Sequence, residues 1–335
     1  MRLPAVFLLV LVVLCLPLQA QAGRLEQIKA RGYLTCGYKP GIPGFSRVYP
    51  DAGALGFDAD TCRAVSVAIF ADPSRVRFVD AGSFQDLKTN PDIDLAVRRL
   101  SWTLTREGTD GLIFGPITFY DGQGFLVLKA SGIASGLQLN GKRICVDPGE
   151  SWAGNLIRYV KMNNVKAEVI VTAGPEDSQQ RLFSGKCDAY SADKSMLGAV
   201  RASEKHLDDS VILGDEISKE PLAPIMREGD DQFFQIVRWT IFAMIEAEEL
   251  GVTSKNIDAK LGSDDPDIMR LLGKIPGNGK ALGLTEDWAY QIIKALGNYG
   301  EMFSRNLGSD SVIKLDRGRN NLWTNGGLMY APPLR

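Results

Sequence analysis

Arg106 lies in the stretch "SWTLTREGTDGLIFGPITFYDGQGF", behind Ser101, Thr103 and Thr105, with Glu107 as its nearest acid. A guanidinium fork suits a carboxylate held bidentately, and Ser101 and Thr103, alternating before it, can add neutral donors. On an open surface the same residues would make only a salt bridge of small worth. Farther on, "CDAYSADKS" sets Asp193 between an apolar run and a helical pattern, where a carboxylate can accept from an ammonium. One segment for an acid group and another for an amino group describe a clamp for a zwitterion. Catalysis has less to draw on. The single histidine, His206, sits in the charged segment "ASEKHLDD", so Ser-His-Asp and Cys-His chemistry would depend on it alone. Nucleophile-elbow, P-loop and Rossmann glycine patterns are absent. The acid pairs Asp92/Asp94, Asp208/Asp209 and Asp264/Asp265 fall in polar stretches and read as solvated surface charge.

The elements that would position Arg106 and Asp193 alternate along the chain. Apolar strands are expected at "YLTCGY" (33), "RVRFVDA" (75), "DIDLAVR" (92), "GFLVLKA" (124), "RICVDPG" (143), "KAEVIVT" (166) and "CDAYSAD" (187). Helices are expected at Ala59 to Phe70, Ala153 to Asn163, Pro175 to Ser184 and Ser195 to His206. Such alternation predicts an α/β fold with largely parallel sheets, whose ligand cleft lies at the carboxyl ends of the strands. Arg106 would stand at such an end after "DIDLAVR", and Asp193 at another. The clearest helix is "DDQFFQIVRWTIFAMIEAEELG", with apolar residues at three and four and Asp230 or Asp231 as its cap. The tail from Pro276 onward, aromatic and proline-ended, is expected to pack on the body as an added element and not as a third domain.

The first 22 of the 335 residues, "MRLPAVFLLVLVVLCLPLQAQA", carry one arginine, an apolar run and a small-residue end. They read as a secretory signal peptide cleaved after Ala22. A membrane anchor needs about twenty apolar residues, and Pro17 and Gln19 end this run early. Removing the segment moves the formal net charge from −2 to −3, and no basic face for nucleic acid is implied. The remaining chain is long for one core and comfortable for two lobes. Its cysteines are then four, Cys36, Cys62, Cys145 and Cys187, an even count that suggests two disulfides in an oxidising compartment, with three connectivities open. Pairing within the first two and within the last two would give each lobe one staple. No Cys-x-x-Cys spacing supports zinc, and neither a metal nor a cofactor is expected.

In the segments "PGFS" (43), "GFDADTCRAVSVAIFAD" (56), "SWTLTREGTDGLIF" (101), "FYDGQGFLV" (119), "SKEPLAPIMREGDDQFFQIVRWT" (218), "NYGEMFSRNLG" and "LWTNGGLMYAPP", the sequence resembles the periplasmic amino-acid-binding proteins of ABC transporters, within them the general L-amino-acid subgroup. The resemblance covers nearly all of the chain after residue 22. It implies a type II periplasmic-binding-protein fold in two lobes: 23–122 with 223–335, the C-terminal extension beginning near 276, and 123–222. It implies hinge crossings near Tyr120 to Gly124 and Lys219 to Pro224. It also implies disulfides Cys36–Cys62 and Cys145–Cys187, the ligand α-carboxylate on Arg106 aided by Ser101 and Thr103, the α-amino group on Asp193, and an aromatic wall near Phe45. The expected partners are an amino acid and an inner-membrane ABC permease, with the protein a monomer in the periplasm, inserted in no membrane.

One segment departs from the family pattern. Before a second-lobe helix the family usually has Gly-Thr-Thr, and this chain reads "PGESWAG". The helix N-terminus still favours an anion, and Ser151 can replace the second threonine's hydroxyl, but Glu150 and Trp152 bring charge and bulk, and Lys194 stands beside Asp193. Glu150 either points outward, stabilised by the helix dipole, or enters the cleft and shifts specificity. The alternative function is a periplasmic prephenate or arogenate dehydratase on the same fold, with Glu150 or Glu220 as its acid.

Overall fold

The structure, a computed structural model, describes residues 23–50, 53–108, 111–148, 151–203 and 208–335. The signal-peptide segment, Cys15, Glu150 and His206 lie outside the described residues. In chain order the strands are β1 (Leu34–Tyr38), β2 (Arg47–Tyr49), β3 (Gly53–Leu55), β4 (Val76–Asp80), β5 (Leu95–Ala96), β6 (Leu112–Phe114) and β7 (Phe119–Asp121). Then follow β8 (Gln123–Leu128), β9 (Arg143–Val146), β10 (Glu168–Val171), β11 (Ala189–Asp193), β12 (Ser210–Ile212), β13 (Glu220–Leu222) and β14 (Ile225–Arg227).

Two five-stranded sheets form two lobes, ordered β4-β1-β5-β14-β6 and β10-β9-β11-β8-β12. Helix-length crossovers make β4, β1 and β5 parallel, as they do β10, β9 and β11. β14 enters the first sheet in reverse, between β5 and β6, because the chain reaches it directly from the second lobe. β8 and β12 run antiparallel in the second sheet. In β1 the first four residues are buried on both faces, as a strand covered on two sides requires, which is why "LTCG" carries no charge and alternates with no exposed residue.

The helix Phe57–Phe70 packs on β1 and against the helices Asp231–Glu249 and Trp288–Leu296. Asp230 caps the long helix by accepting from the Phe233 N–H at 2.8 Å. Asp94 is a correction to the sequence reading of solvated pairs: it is 2 % exposed and accepts from the Thr35 N–H at 2.7 Å and from Arg31 and Arg24. The pattern missed it because those arginines come from a helix far off in sequence.

Between the sheets the chain crosses twice, and the crossings pair as an antiparallel ribbon, Asp121 opposite Glu220 and Phe119 opposite Leu222. Gly122 stands where they pass closest: a Cβ there would meet the Ser218 carbonyl at 2.9 Å. Behind this ribbon runs the C-terminal tail. Its helices Trp288–Leu296 and Tyr299–Asn306 bury Trp288, Ile292, Tyr299 and Phe303 in the same core as Phe45, Phe57 and Phe119. Asn320, 4 % exposed, accepts from the Tyr120 N–H at 2.6 Å and donates to the Tyr120 carbonyl at 3.0 Å, like a neighbouring strand. Replacing it leaves that backbone buried and unpaired, so Asn320→Ala is expected to lower stability by about 2–3 kcal/mol, read from the shift of the urea midpoint.

Cys36 is bonded to Cys62 and Cys145 to Cys187, 26 and 42 residues apart. The first bond joins β1 to the helix Phe57–Phe70, and the second joins β9 to the turn before β11. Opening the second with Cys145→Ala and Cys187→Ala is expected to cost about 4 kcal/mol, as the loop length dictates in the chain-entropy account. Denaturant unfolding of the double variant measures it.

Candidate ligand-binding site

Phe45 heads the first-lobe side of the site because the helix Phe57–Phe70 begins on it. The Phe45 carbonyl accepts from the Asp58 N–H at 3.0 Å, and Gly56 passes so near that a Cβ there would stand 2.3 Å from that carbonyl. The ring is 1 % exposed and meets Phe119 edge-on at 5.4 Å and Phe57 at 6.1 Å. The expected aromatic wall is thus one ring of a packed cluster.

After β5 the chain turns through Arg98 and Arg99, the latter with φ of 56°, a left-handed conformation uncommon outside glycine. It then reaches the one-turn helix Leu104–Glu107. Thr103 caps this turn, its hydroxyl oxygen accepting from the Arg106 N–H at 3.4 Å. The Arg106 guanidinium donates to the Ser101 carbonyl at 2.9 Å. The Ser101 hydroxyl donates to Glu220 at 2.5 Å, whose other oxygen accepts from Ser218 at 2.8 Å. Ser101 therefore has its proton committed to a carboxylate of the second crossing, whereas Thr103 serves as an acceptor among the described residues. Trp102 lies across Phe114 at 6.1 Å and donates to Glu107 at 2.7 Å.

On the second-lobe side, Asp193 ends β11 and is 8 % exposed. One carboxylate oxygen accepts from the Trp152 indole N–H at 2.9 Å. The other is 3.5 Å from the Arg99 guanidinium, which donates to the Ser195 hydroxyl at 2.6 Å, lies 3.7 Å from Asp121 and stands over the Phe45 ring at 4.9 Å. Asp121 in turn accepts from the hydroxyl and the N–H of Ser195 and from the Gly122 N–H. Gln123, fully buried, donates to the Trp152 carbonyl at 3.0 Å and to Ser191 at 2.9 Å, fixing the start of the helix Trp152–Met162. Ser151 precedes that helix, exposed and with no side-chain cap bond.

Negative charge is in surplus around Asp193. Burial first, then the Asp121 and Glu220 charges, push Asp193 up to about 8 against the opposing pull of Arg99 and the Trp152 bond. Burial likewise raises Asp121, and lifts Asp58, behind the arginine doublet, to about 7. A carboxylate kept from ionising by neighbouring acids gains when another cation arrives. The structure thus brings Phe45 and Asp193 together around Arg99, and sets Ser101 and Thr103 in the loop that carries Arg106. Arg99, Asp121, Ser195 and Gln123 are additions to the sequence reading. The doublet "RR" directly after a strand was the available signal for Arg99, and "YDG" at a crossing was that for Asp121. Behind the ribbon a cavity of about 270 Å³ shares Asp121 and Ser195 with this cluster and is otherwise lined by Lys194, Arg201, Glu216, Lys314 and Arg319 among others.

No family model matches the sequence. The general L-amino acid-binding periplasmic protein AapJ of Rhizobium johnstonii is 43 % identical over 323 residues, 94 % of each chain. The chain belongs to the periplasmic amino-acid-binding proteins of ABC transporters. The glutamate/glutamine/aspartate/asparagine-binding protein BztA of Rhodobacter capsulatus is 42 % identical over 94 % of each chain. An ABC transporter periplasmic binding protein from Brucella ovis, solved with glutathione bound, superposes with a TM-score of 0.86 at 42 % identity, over 94 % of this chain and all of that one. The fold is the type II periplasmic-binding-protein fold. These relatives are transport proteins, so this binding protein is not an enzyme, and the dehydratase alternative is the less supported of the two. Its place is the periplasm and its partner an ABC permease.

Proposed function

We propose that this periplasmic protein captures an L-amino acid, or a close analogue, between lobe 1 (23–122 with 223–335) and lobe 2 (123–222), and hands it to its permease. The ligand α-carboxylate sits on Arg106 with Thr103 donating beside it, while Ser101 holds the loop to Glu220. The α-ammonium sits on Asp193. Phe45 walls the site, and Ser151 donates at the helix start. The observation that carries the reading is the cluster of buried acids at the end of β11, where Asp193 and Asp121 share one ion-pair partner among the described residues, Arg99, and Glu220 adds its charge to Asp193. Such a place favours an ammonium. The general amino-acid binding named for a relative 43 % identical supports it.

Closure follows from the two crossings, which let the lobes hinge around the β7–β13 ribbon. The chain acts as a monomer without cofactor, after cleavage behind Ala22. A thermal-shift screen of unfolded and refolded protein against the twenty L-amino acids and reduced glutathione tests the reading. Ligand at a hundred times its Kd adds about 2.7 kcal/mol of stability. The midpoint rises with one or more amino acids, and Arg106→Ala abolishes the rise. No rise with any amino acid would overturn the reading, as would a rise that Arg106→Ala leaves intact.

A further inference from the structure

Arg99 occupies the place where an incoming ammonium would go. Its side chain is 6 % exposed and Asp121, 3.7 Å away, is 1 % exposed. It also stands 3.5 Å from the one Asp193 oxygen that Trp152 does not take. Its Ser195 bond and the Phe45 ring fix the guanidinium from two further sides. Its Nε is buried and has no hydrogen-bond partner among the described residues. The chain thus enters its own cation subsite with a cation.

A ligand ammonium that takes this oxygen of Asp193 shares it with Arg99 and sets a second cation beside the guanidinium. Asp121 stays with the guanidinium at 3.7 Å, and the Ser195 hydroxyl is neutral. Two buried cations that share one carboxylate repel each other, and an acid brought to the guanidinium offsets that repulsion. The ligand can therefore bind well if it brings a further acid itself. We infer that Arg99 is a specificity-determining residue, selecting α-amino acids with a second carboxylate, which takes the guanidinium as the ligand ammonium takes Asp193. A neutral amino acid sets its ammonium beside Arg99 with no second acid to offset it, and a basic one adds a further cation there. Arginine suits the task because its planar fork can hold Ser195 and a carboxylate together, which a point charge does less well. The inference rests on the amino-acid reading proposed above.

The decisive comparison is between L-glutamate and L-glutamine, close in size and different by one charge. Calorimetric titration of the wild type is expected to give a Kd for glutamate at least tenfold lower than for glutamine. Arg99→Gln is expected to level or invert that ratio, chiefly by weakening glutamate, with glutamine bound as well as before or better. Arg99→Lys keeps the charge and is read in its place if Arg99→Gln does not fold; there the preference persists but shrinks. Glutarate, with both acids and no ammonium, is expected to bind weakly to all three proteins. A wild type that holds glutamine as tightly as glutamate overturns the inference, as does a ratio unchanged in Arg99→Gln or, failing that protein, in Arg99→Lys. Neutral amino acids bound tightly would leave the amino-acid reading standing and sink only the role of Arg99. A wild type that binds no amino acid would sink both.

Discussion

Asp193→Asn is expected to raise the Kd for L-glutamate by about 100-fold or more, roughly 3 kcal/mol, because it removes the charge that meets the ligand ammonium at a buried position. The substitution keeps the size of the side chain, and its amide oxygen can still accept from the Trp152 indole, which now bonds a carboxylate oxygen at 2.9 Å. The fold should therefore survive. The unliganded protein at high pH should even gain stability, since the variant lacks one of the acids that crowd each other around Arg99. Titration calorimetry measures the first effect and a melting curve at pH 9 the second. A Kd within threefold of the wild type would show that the ammonium goes elsewhere.

Affinity for the same ligand should climb steeply with pH below 8. Asp193 in the free site titrates at about 8, raised by burial and by the Asp121 and Glu220 charges, with Arg99 and Trp152 opposing. A bound ammonium favours the ionised form and lowers that value, so binding below pH 8 releases a proton. The ligand ammonium stays charged through this window. At pH 6 about one free site in a hundred is ionised and at pH 8 about half are, so affinity should rise about 50-fold between them. Calorimetry in two buffers of different ionisation enthalpy should count close to one proton released at pH 6.5, and Asp193→Asn should flatten the profile. A wild-type affinity that stays level from pH 6 to pH 8 would mean that the ligand ammonium does not meet an Asp193 crowded by other acids.

What the sequence showed of this protein was mostly its periodic parts. Strands such as Arg143–Val146 and the helix Asp231–Glu249 announce themselves because burial on one or both faces forces an apolar rhythm. The hinge ribbon did not, since its three-residue strands are too short for a period to show and owe their pairing to a partner 99 residues away. Asp94 looked like a surface acid because nothing local reveals that Arg24 and Arg31 close over it. Arg106 and Asp193 stood out by their neighbours in the chain, whereas Arg99 is defined by what surrounds it in space: Phe45 from before the first long helix, Asp121 from the crossing, Ser195 from the second lobe. A charge whose partners come from three distant segments cannot be recognised by spacing.

In the proposed complex one amino acid lies between the lobes with its acid on Arg106 and its ammonium on Asp193. A crystal structure of the protein grown with L-glutamate tests it most directly. The α-carboxylate is expected within hydrogen-bond distance of the Arg106 guanidinium and the ammonium on the Asp193 oxygen now nearest Arg99. Density for the amino acid in the cavity behind the hinge ribbon, or in the cleft with its ammonium turned away from Asp193, would contradict it.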